Sequence, residues 1–469
     1  DPSRLRGRGA WVDDGRMVYH HGAYLTIDGV TEDVTSISSR YVYELRKSLP
    51  TDPADKPMSS EEGEELVELA KLFRWTKPGS AALLAGWVAL APECGALRWR
   101  PHIWLTGGAG CGKSTVLNDY CHLLMGGCDV FAQGNSSEAG IRQKLGADAL
   151  PVLYDESEQN DDREKARVQA ILSLIRQSST ESDAQTLKGT AGGDAMAFHI
   201  RSMFCLASIQ VGMRHQADVE RLAVLALRPK RDDEDAAGTW ATISGSLARM
   251  KHDKDLPARL LRRALDLLPV TLENIKVFAR VAAKRFGSQR DGDQYGTLLA
   301  GCWSLTSTQV ATEEQALELL ESYDWSEHME SSDADESVKA LAALMERGIR
   351  VGSSEMSVYQ IVRDAAGPGS VGSERTADEV LARHGMRVKT EGGKPRLMLS
   401  NTSENLRALL SDTPYGADLR GLLLRLPGAD RCGNRVERFG GARSKCISIS
   451  LEEVLQAGPA DDRYDPPAF

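Results

Sequence analysis

The chain has 469 residues, with 57 Lys and Arg against 67 Asp and Glu, a net charge of −10. That length exceeds one compact core and points to two to four domains. The acidic balance argues against a protein that coats nucleic acid over its whole surface, while leaving room for a local basic channel. Composition is ordinary for a soluble globular chain, 41% hydrophobic and 26% charged. No apolar run reaches the roughly 18 residues a membrane helix needs; the best stretch, Ala81 to Ala91, is shorter, carries Gly86, and reads as a buried helix.

The start, Asp1-Pro2-Ser3-Arg4, has neither a methionine nor the apolar core of a signal peptide, so an excised fragment with a preceding domain is the expectation. Eight cysteines (94, 111, 121, 128, 205, 302, 432, 446) are scattered without Cys-x-x-Cys or zinc spacing. Reduced thiols in a cytoplasmic protein are the simple reading.

In chain order, residues 11 to 47 alternate apolar and polar, broken by His21-Gly22 and Asp28-Gly29, and predict a small antiparallel sheet within a 1–55 segment. Leu49 to Pro57, with three prolines, reads as a linker. Ser59 with Glu62 forms a capping-box pattern that opens a helix to about Phe73, and a second helix follows Pro78, giving a helical segment 56–98. Between 99 and 230 strands alternate with helices, which signals a parallel sheet with crossover helices. Pro229 to Gly238 is a charged break. Leu256 to Phe286 is helical by periodicity within a 231–330 segment read as helical, whose part 291–330 yields no clear pattern. In 331–469 helices and strands mix; Arg387-Val388-Lys389 and Arg396 to Leu399, joined by Glu391-Gly392-Gly393-Lys394, predict a two-stranded wing. The tail from Gly458 is expected to fray.

The strongest signal is Ile103-Trp104-Leu105, a short buried strand running into Gly107-Gly108-Ala109-Gly110-Cys111-Gly112-Lys113-Ser114 and then into a helix from Thr115. Glycines let the backbone wrap so that N–H groups point at phosphate oxygens, and the helix N-terminus adds partial positive charge. Lys113 supplies a full charge to the β and γ phosphates and Ser114 a magnesium ligand, which makes this a P-loop for Mg2+ and ATP. After a second strand, Asp129 to Gln133, the apolar strand Leu150 to Tyr154 ends in Asp155-Glu156. Asp155 is placed to coordinate magnesium and Glu156 to polarise the attacking water. The strand Met203 to Gln210 is expected between the other two, with Ser208 or Gln210 sensing the γ-phosphate. Asp218-x-x-Arg221 opens a further strand, Leu222 to Leu227; an arginine here is expected to reach a neighbouring subunit's nucleotide, Arg221 first, with Arg214 and Arg228 as competitors.

These residues resemble the helicase part of phage and mobile-element primase-helicases, whose AAA+ motors are like those of superfamily 3 helicases. The resemblance covers mainly Trp99 to Pro229 and rests on Trp104 to Thr115 and on Gln133 to Gln143 before the acidic strand. It implies an α/β core with sheet order 5-1-4-3-2 flanked by a small N-terminal β and helical region, a helical segment and a C-terminal winged-helix-like α+β region. Ala184-Gln185-Thr186-Leu187, a turn from Lys188 to Asp194, and Ala195 to Ile200 read as a β-hairpin. In the resembled family such a hairpin projects into a hexamer's central pore; Lys188 is then the gripping residue on the DNA backbone, with His199 and Arg201 as lesser candidates. Motors of this kind usually place an asparagine at the sensor position, where Ser208 and Gln210 stand here. No paired carboxylates or zinc motif for priming occurs outside the motor, so a primase would act from a missing region or as a separate partner.

In the C-terminal region Arg420, Arg425, Arg431, Arg435, Arg438, Arg443 and Lys445 face only Asp430 and Glu437. Phe439 to Lys445 reads as a basic loop before the strand Cys446 to Ile449. Contact of Arg443 and Lys445 with duplex or forked DNA, and packing against an acidic neighbouring subunit, both explain the charges. The leading expectation is a ring-forming, ATP-driven helicase on single-stranded or forked DNA, without a membrane partner. The rivals are a nucleotide-switched loader or scaffold that does not unwind, and a signalling ATPase of a defence system.

Overall fold

The computed structural model describes residues 4–155, 162–181, 186–189, 195–213, 216–229, 235–325, 336–351, 354–367, 376–413, 415–416, 418–430 and 436–456. The chain divides into two compact units, Asp1–Asp324 and Trp325–Phe469. None of the described helices is long and apolar enough to cross a membrane.

The first unit begins with β1 (Leu5–Arg6), followed by an antiparallel four-stranded sheet of β2 (Gly9–Asp13), β3 (Arg16–His20), β4 (Tyr24–Ile27) and β5 (Val30–Asp33). Two of its turns are Asp-Gly pairs with both residues at positive φ, Asp14-Gly15 (50° and 81°) and Asp28-Gly29 (46° and 84°). That conformation matches the twist of adjoining strands. The expected third piece, around Tyr41 to Tyr43, does not extend this sheet: β6 (Val42–Tyr43) pairs in parallel with β1 instead. The proline-rich 49–57 stretch is fixed to its surroundings, with Ala54 N–H donating to the Ala258 carbonyl (3.0 Å) and Thr51 Oγ1 to Gly126 O (2.6 Å).

The helix Ser60–Leu72 has the expected capping box, Ser59 Oγ accepting from Glu62 N–H and Glu62 accepting from Ser59 N–H. Such a cap contributes about 1 kcal/mol. Ser80–Leu90 is buried along its whole length and packs on Thr297–Thr306, a helix within the stretch that gave no sequence pattern. Their backbones meet at Gly86, where an added Cβ would lie 1.8 Å from the Leu298 carbonyl oxygen, and at Gly301, where it would lie 2.5 Å from Gly86 O.

The central sheet contains β7 (His102–Thr106), β8 (Val130–Gln133), β9 (Val152–Asp155), β12 (Phe204–Ser208) and β13 (Leu222–Ala226); the hairpin β10 (Thr186–Gly189) and β11 (Ala195–Phe198) stands apart. The spatial order is β13-β7-β12-β9-β8, every pair parallel, which counted in chain order within this sheet is 5-1-4-3-2. β7, β9 and β12 are buried on both faces, as apolar strands of a parallel sheet require. Beyond β13, Trp75 bridges Leu227 in antiparallel sense. The helix Ala236–His252 falls in the segment expected to be helical, but it starts inside the stretch read as a charged break, where Asp235 caps it.

In the second unit β14 (Gly348–Val351) and β15 (Ser354–Ser357) form a hairpin. The anticipated wing, β16 (Met386–Glu391) and β17 (Lys394–Ser400), is part of a larger antiparallel sheet of order β16-β17-β19-β18, completed by β18 (Val436–Phe439) and β19 (Ala442–Ser450). Arg443 and Lys445 lie on β19 itself and not on a loop before it. Both are exposed and alternate with buried Ser444 and Cys446. Register places Arg443 opposite Arg438 and Lys445 opposite Val436, so the three cations share one face.

Gly86→Ala tests the close helix crossing. Backbone must move to admit the methyl, and overpacking of this kind costs about 1–3 kcal/mol. Chemical denaturation of the variant should show a lower midpoint; an unchanged midpoint would mean the crossing is looser than 1.8 Å implies.

Candidate functional site

A parallel sheet directs all its strand ends to one edge, where loops converge. At that edge stand Thr106 of β7, Ser208 of β12, Asp155 of β9 and Gln133 of β8, aligned by register: Thr106 opposite Ser208 and Gln133 opposite Asp155. One strand separates β9 from β7, so the Asp155 backbone lies about 10 Å from the loop strand.

The loop after β7 turns on three glycines at positive φ, Gly107 (148°), Gly110 (75°) and Gly112 (96°). Gly107 is doubly constrained, since a Cβ there would lie 2.5 Å from the Leu227 carbonyl oxygen. Gly110 and Gly112 face open space, so backbone conformation alone calls for glycine. Gly108, Ala109 and Gly110 are exposed at the tip, and Cys111 is buried beneath it. Lys113 Nζ donates to the carbonyls of Gly107 (2.7 Å) and Gly108 (3.1 Å), which holds the ammonium over the loop. Ser114 is exposed, and Thr115 opens a helical segment, Thr115–His122, wound with wide π-type turns before Leu123–Met125.

Asp155 is half-buried at the end of β9. Tyr154 before it donates to the Gly134 carbonyl (2.9 Å), tying the segment after β8 to the acidic strand. Glu156 and Arg214 lie outside the described residues, as does the side chain of Lys188, whose backbone is placed in β10 opposite Met196. His199 is half-buried beside Arg201, 3.3 Å from Nδ1 to Nη2.

The Ser208 hydroxyl is already engaged within the sheet. It is buried, accepts from Trp104 Nε1 (2.8 Å) and donates to the Gln210 carbonyl (2.6 Å). Gln210 is exposed at the same edge. Arg221 stands at the opposite edge, because Leu222 pairs with His102 at the start of β7. Its Nη1 donates to Ala217 O (2.8 Å) and its guanidinium lies 5.9 Å from the Trp99 ring. Arg228 is the arginine at the loop edge. With Gly110, Gly112, Thr115, Trp240 and Tyr323 it lines a cleft of about 1150 Å³ beside the loop, a feature with no periodic signature in sequence.

The opposite edge is held by two buried arginines that share a carboxylate at the surface. Arg100, fully buried, donates to Cys94 O (2.7 Å) and to Glu181 (2.5 Å), and Arg201 donates to the same carboxylate (2.8 Å). Burial alone raises the Glu181 pKa, but the two guanidinium groups outweigh it and hold the carboxyl below its ordinary range. His102 accepts from Phe204 N–H at Nδ1 (3.0 Å), so Nε2 carries the proton and donates to Ser179 Oγ (3.0 Å). Burial, with Arg100 and Arg221 nearby, pushes its pKa down from 6.5 to about 3.

No family model and no curated protein matches the sequence. Among solved structures, the chain is similar to the apo A form of the NrS-1 C-terminal region, CTR(305-718), at a TM-score of 0.26 and 11% identity, over 56% of this chain and 63% of that one. The chain thus matches less than two thirds of that structure's length.

His102 makes stability depend on pH with a defined sign. The unfolded imidazole takes a proton near 6.5, the folded one only near 3. Its contribution is therefore complete above about pH 6.5 and is lost progressively as pH falls towards 3, at up to about 1.4 kcal/mol per pH unit. Nitrogen-15 spectra of histidine-labelled protein should show an unprotonated Nδ1 for this residue at pH 5. A protonated ring in folded protein at that pH would contradict the assignment.

Proposed function

We propose that the first unit is a P-loop NTPase that binds Mg·ATP at the 107–114 loop and hydrolyses it. The observation that carries the reading is the loop itself: three left-handed glycines between a buried parallel strand and a helix, with Lys113 above and Asp155 at the same sheet edge. Backbone N–H groups of such a loop surround phosphate oxygens, and Lys113 leaves the loop carbonyls for the β and γ phosphates. Ser114 and Asp155 are the residues that would hold magnesium, which neutralises charge as the γ-phosphoryl departs. Glu156 follows Asp155 in sequence and is assigned the water-orienting role. Gln210 is the polar side chain at the sensor position.

The assembly we propose is a homo-oligomeric ring, hexameric in the resembled family, that moves single-stranded DNA. Lys188 and the β10–β11 hairpin would grip the phosphate backbone with His199 beside them, and the face bearing Arg438, Arg443 and Lys445 would contact forked DNA. Arg221, far from its own loop, is the trans cation in this scheme. A primase would be a further partner. One observation favours the second reading, a nucleotide-switched loader: Ser208 is consumed by Trp104 and the Gln210 carbonyl, so no polar side chain of β12 itself reaches the γ-phosphate.

Lys113→Ala should abolish measurable Mg·ATP binding, read by calorimetry. Glu156→Gln should bind ATP with parental affinity yet turn over about 10²-fold or more slowly, the scale of a lost general base. Parental turnover by Glu156→Gln would remove that residue from the mechanism.

Lys188→Ala separates the motor from the loader. Basal ATPase should persist and unwinding of a forked duplex should fall to background. Full unwinding by this variant would refute the hairpin grip, while a parental chain that binds DNA and ATP but unwinds nothing would favour the loader.

A further inference from the structure

We propose that the cleft beside the loop receives the nucleoside of the same nucleotide, with Trp240 as the stacking surface for the base and Arg228 as a cation acting within its own protomer. This rests on the reading of the loop as a phosphate site and adds what lies next to it. The cleft is continuous with that loop, since Gly110, Cys111, Gly112 and Thr115 form one of its walls.

Arg228 is fixed there by backbone, not by side-chain chance. Leu227 N–H donates to Thr106 O (2.7 Å), which extends the β13–β7 ladder to the last residue before the loop. The Leu227 carbonyl then abuts Gly107 so closely that no Cβ fits. On the other side Arg228 N–H donates to Arg74 O (2.8 Å). The guanidinium therefore starts one residue from the first loop glycine, on the sheet edge where the phosphates would lie. A cation in this position serves its own nucleotide.

Trp240 comes from helix Ala236–His252, whose buried face is Ile243, Leu247 and Met250. Trp240 continues that stripe at the spacing of 3, 4 and 3 residues, yet remains 52% exposed, because the stripe runs out over the cleft. The far end of the helix is tied to the segment following the loop by Lys251 Nζ to Asp119 (2.8 Å). A large aromatic face, half in water and open to a cleft that adjoins a phosphate loop, is a stacking platform for a nucleobase. Stacking reads area, not hydrogen-bonding edges, so the ligand class is a nucleoside triphosphate with purines ahead of pyrimidines.

The test titrates Mg·ATP, Mg·CTP and magnesium tripolyphosphate into the 469-residue chain and its variants by calorimetry at concentrations that keep protomers separate. Trp240→Ala should weaken ATP roughly tenfold or more, within the range spanned by base–aromatic stacking, and leave tripolyphosphate unchanged. Trp240→Phe should restore most of the loss. Arg228→Ala should weaken nucleotide binding in dispersed protomers, which a cation serving a neighbour would not do. Parental ATP affinity in Trp240→Ala overturns the base site, and parental affinity in Arg228→Ala overturns the cis assignment. If the parental chain binds neither tripolyphosphate nor ATP, the phosphate-loop reading has failed and takes this one with it.

Discussion

Backbone amides of a tight loop can converge on one point only if successive residues adopt conformations that side chains resist. The loop after β7 meets that constraint with Gly107, Gly110 and Gly112 at positive φ, and the rest of the first unit maintains it. Buried β7 delivers the chain in a fixed direction, and the bond from Leu227 to Thr106 continues the sheet to the residue before the turn. The Leu227 carbonyl then fills the space where a Gly107 side chain would stand. Conformational freedom that glycine would otherwise retain is thus removed by packing at Gly107 and left to the local turn at Gly110 and Gly112.

The far end of β7 is secured differently. Arg100 and Arg201 are withdrawn from water, and such charges persist only when paired and hydrogen-bonded; their shared partner, Glu181, stays in partial contact with solvent. Here one carboxylate serves two guanidinium groups, and Arg100 also satisfies main-chain carbonyls. Trp99 bridges Thr180, so the entry to β7 is joined to residues just before the β10–β11 hairpin, while Arg201 lies just after it. Both stems of the hairpin and the strand leading to the glycine loop therefore share one electrostatic node, two buried arginines on one carboxylate. His102 adds a neutral link between β7, β12 and Ser179.

Much of this was legible where local chemistry decides the outcome. The glycine loop, the apolar strands around it and the Ser59–Glu62 cap were readable because each depends on residues close in sequence. Features set by distant partners were not. Ser208 looked like a polar strand end, yet Trp104 from the adjoining strand draws its hydroxyl inward. Val42–Tyr43 had the alternation of a sheet strand, but its partner is Leu5–Arg6 and not the nearer hairpins. The start of helix Ala236–His252 was hidden by a charged run whose last aspartate is its cap, and the cleft it borders joins segments more than two hundred residues apart.

The arginines show why chain direction carries information that residue type does not. Arg221 and Arg228 flank the same short strand, and by composition either is a cation at the end of an apolar run. Because β13 runs parallel to β7, the residue before it must lie at the edge where β7 begins and the residue after it at the edge where β7 ends. Five residues of extended backbone separate these edges by about 16 Å, beyond the reach of a guanidinium turned back across the sheet. Arg221 is further committed by its bond to Ala217 O and its place against Trp99. One parallel pairing thus divides two chemically identical side chains into one that stands at the loop edge and one that stands at the far edge of the sheet.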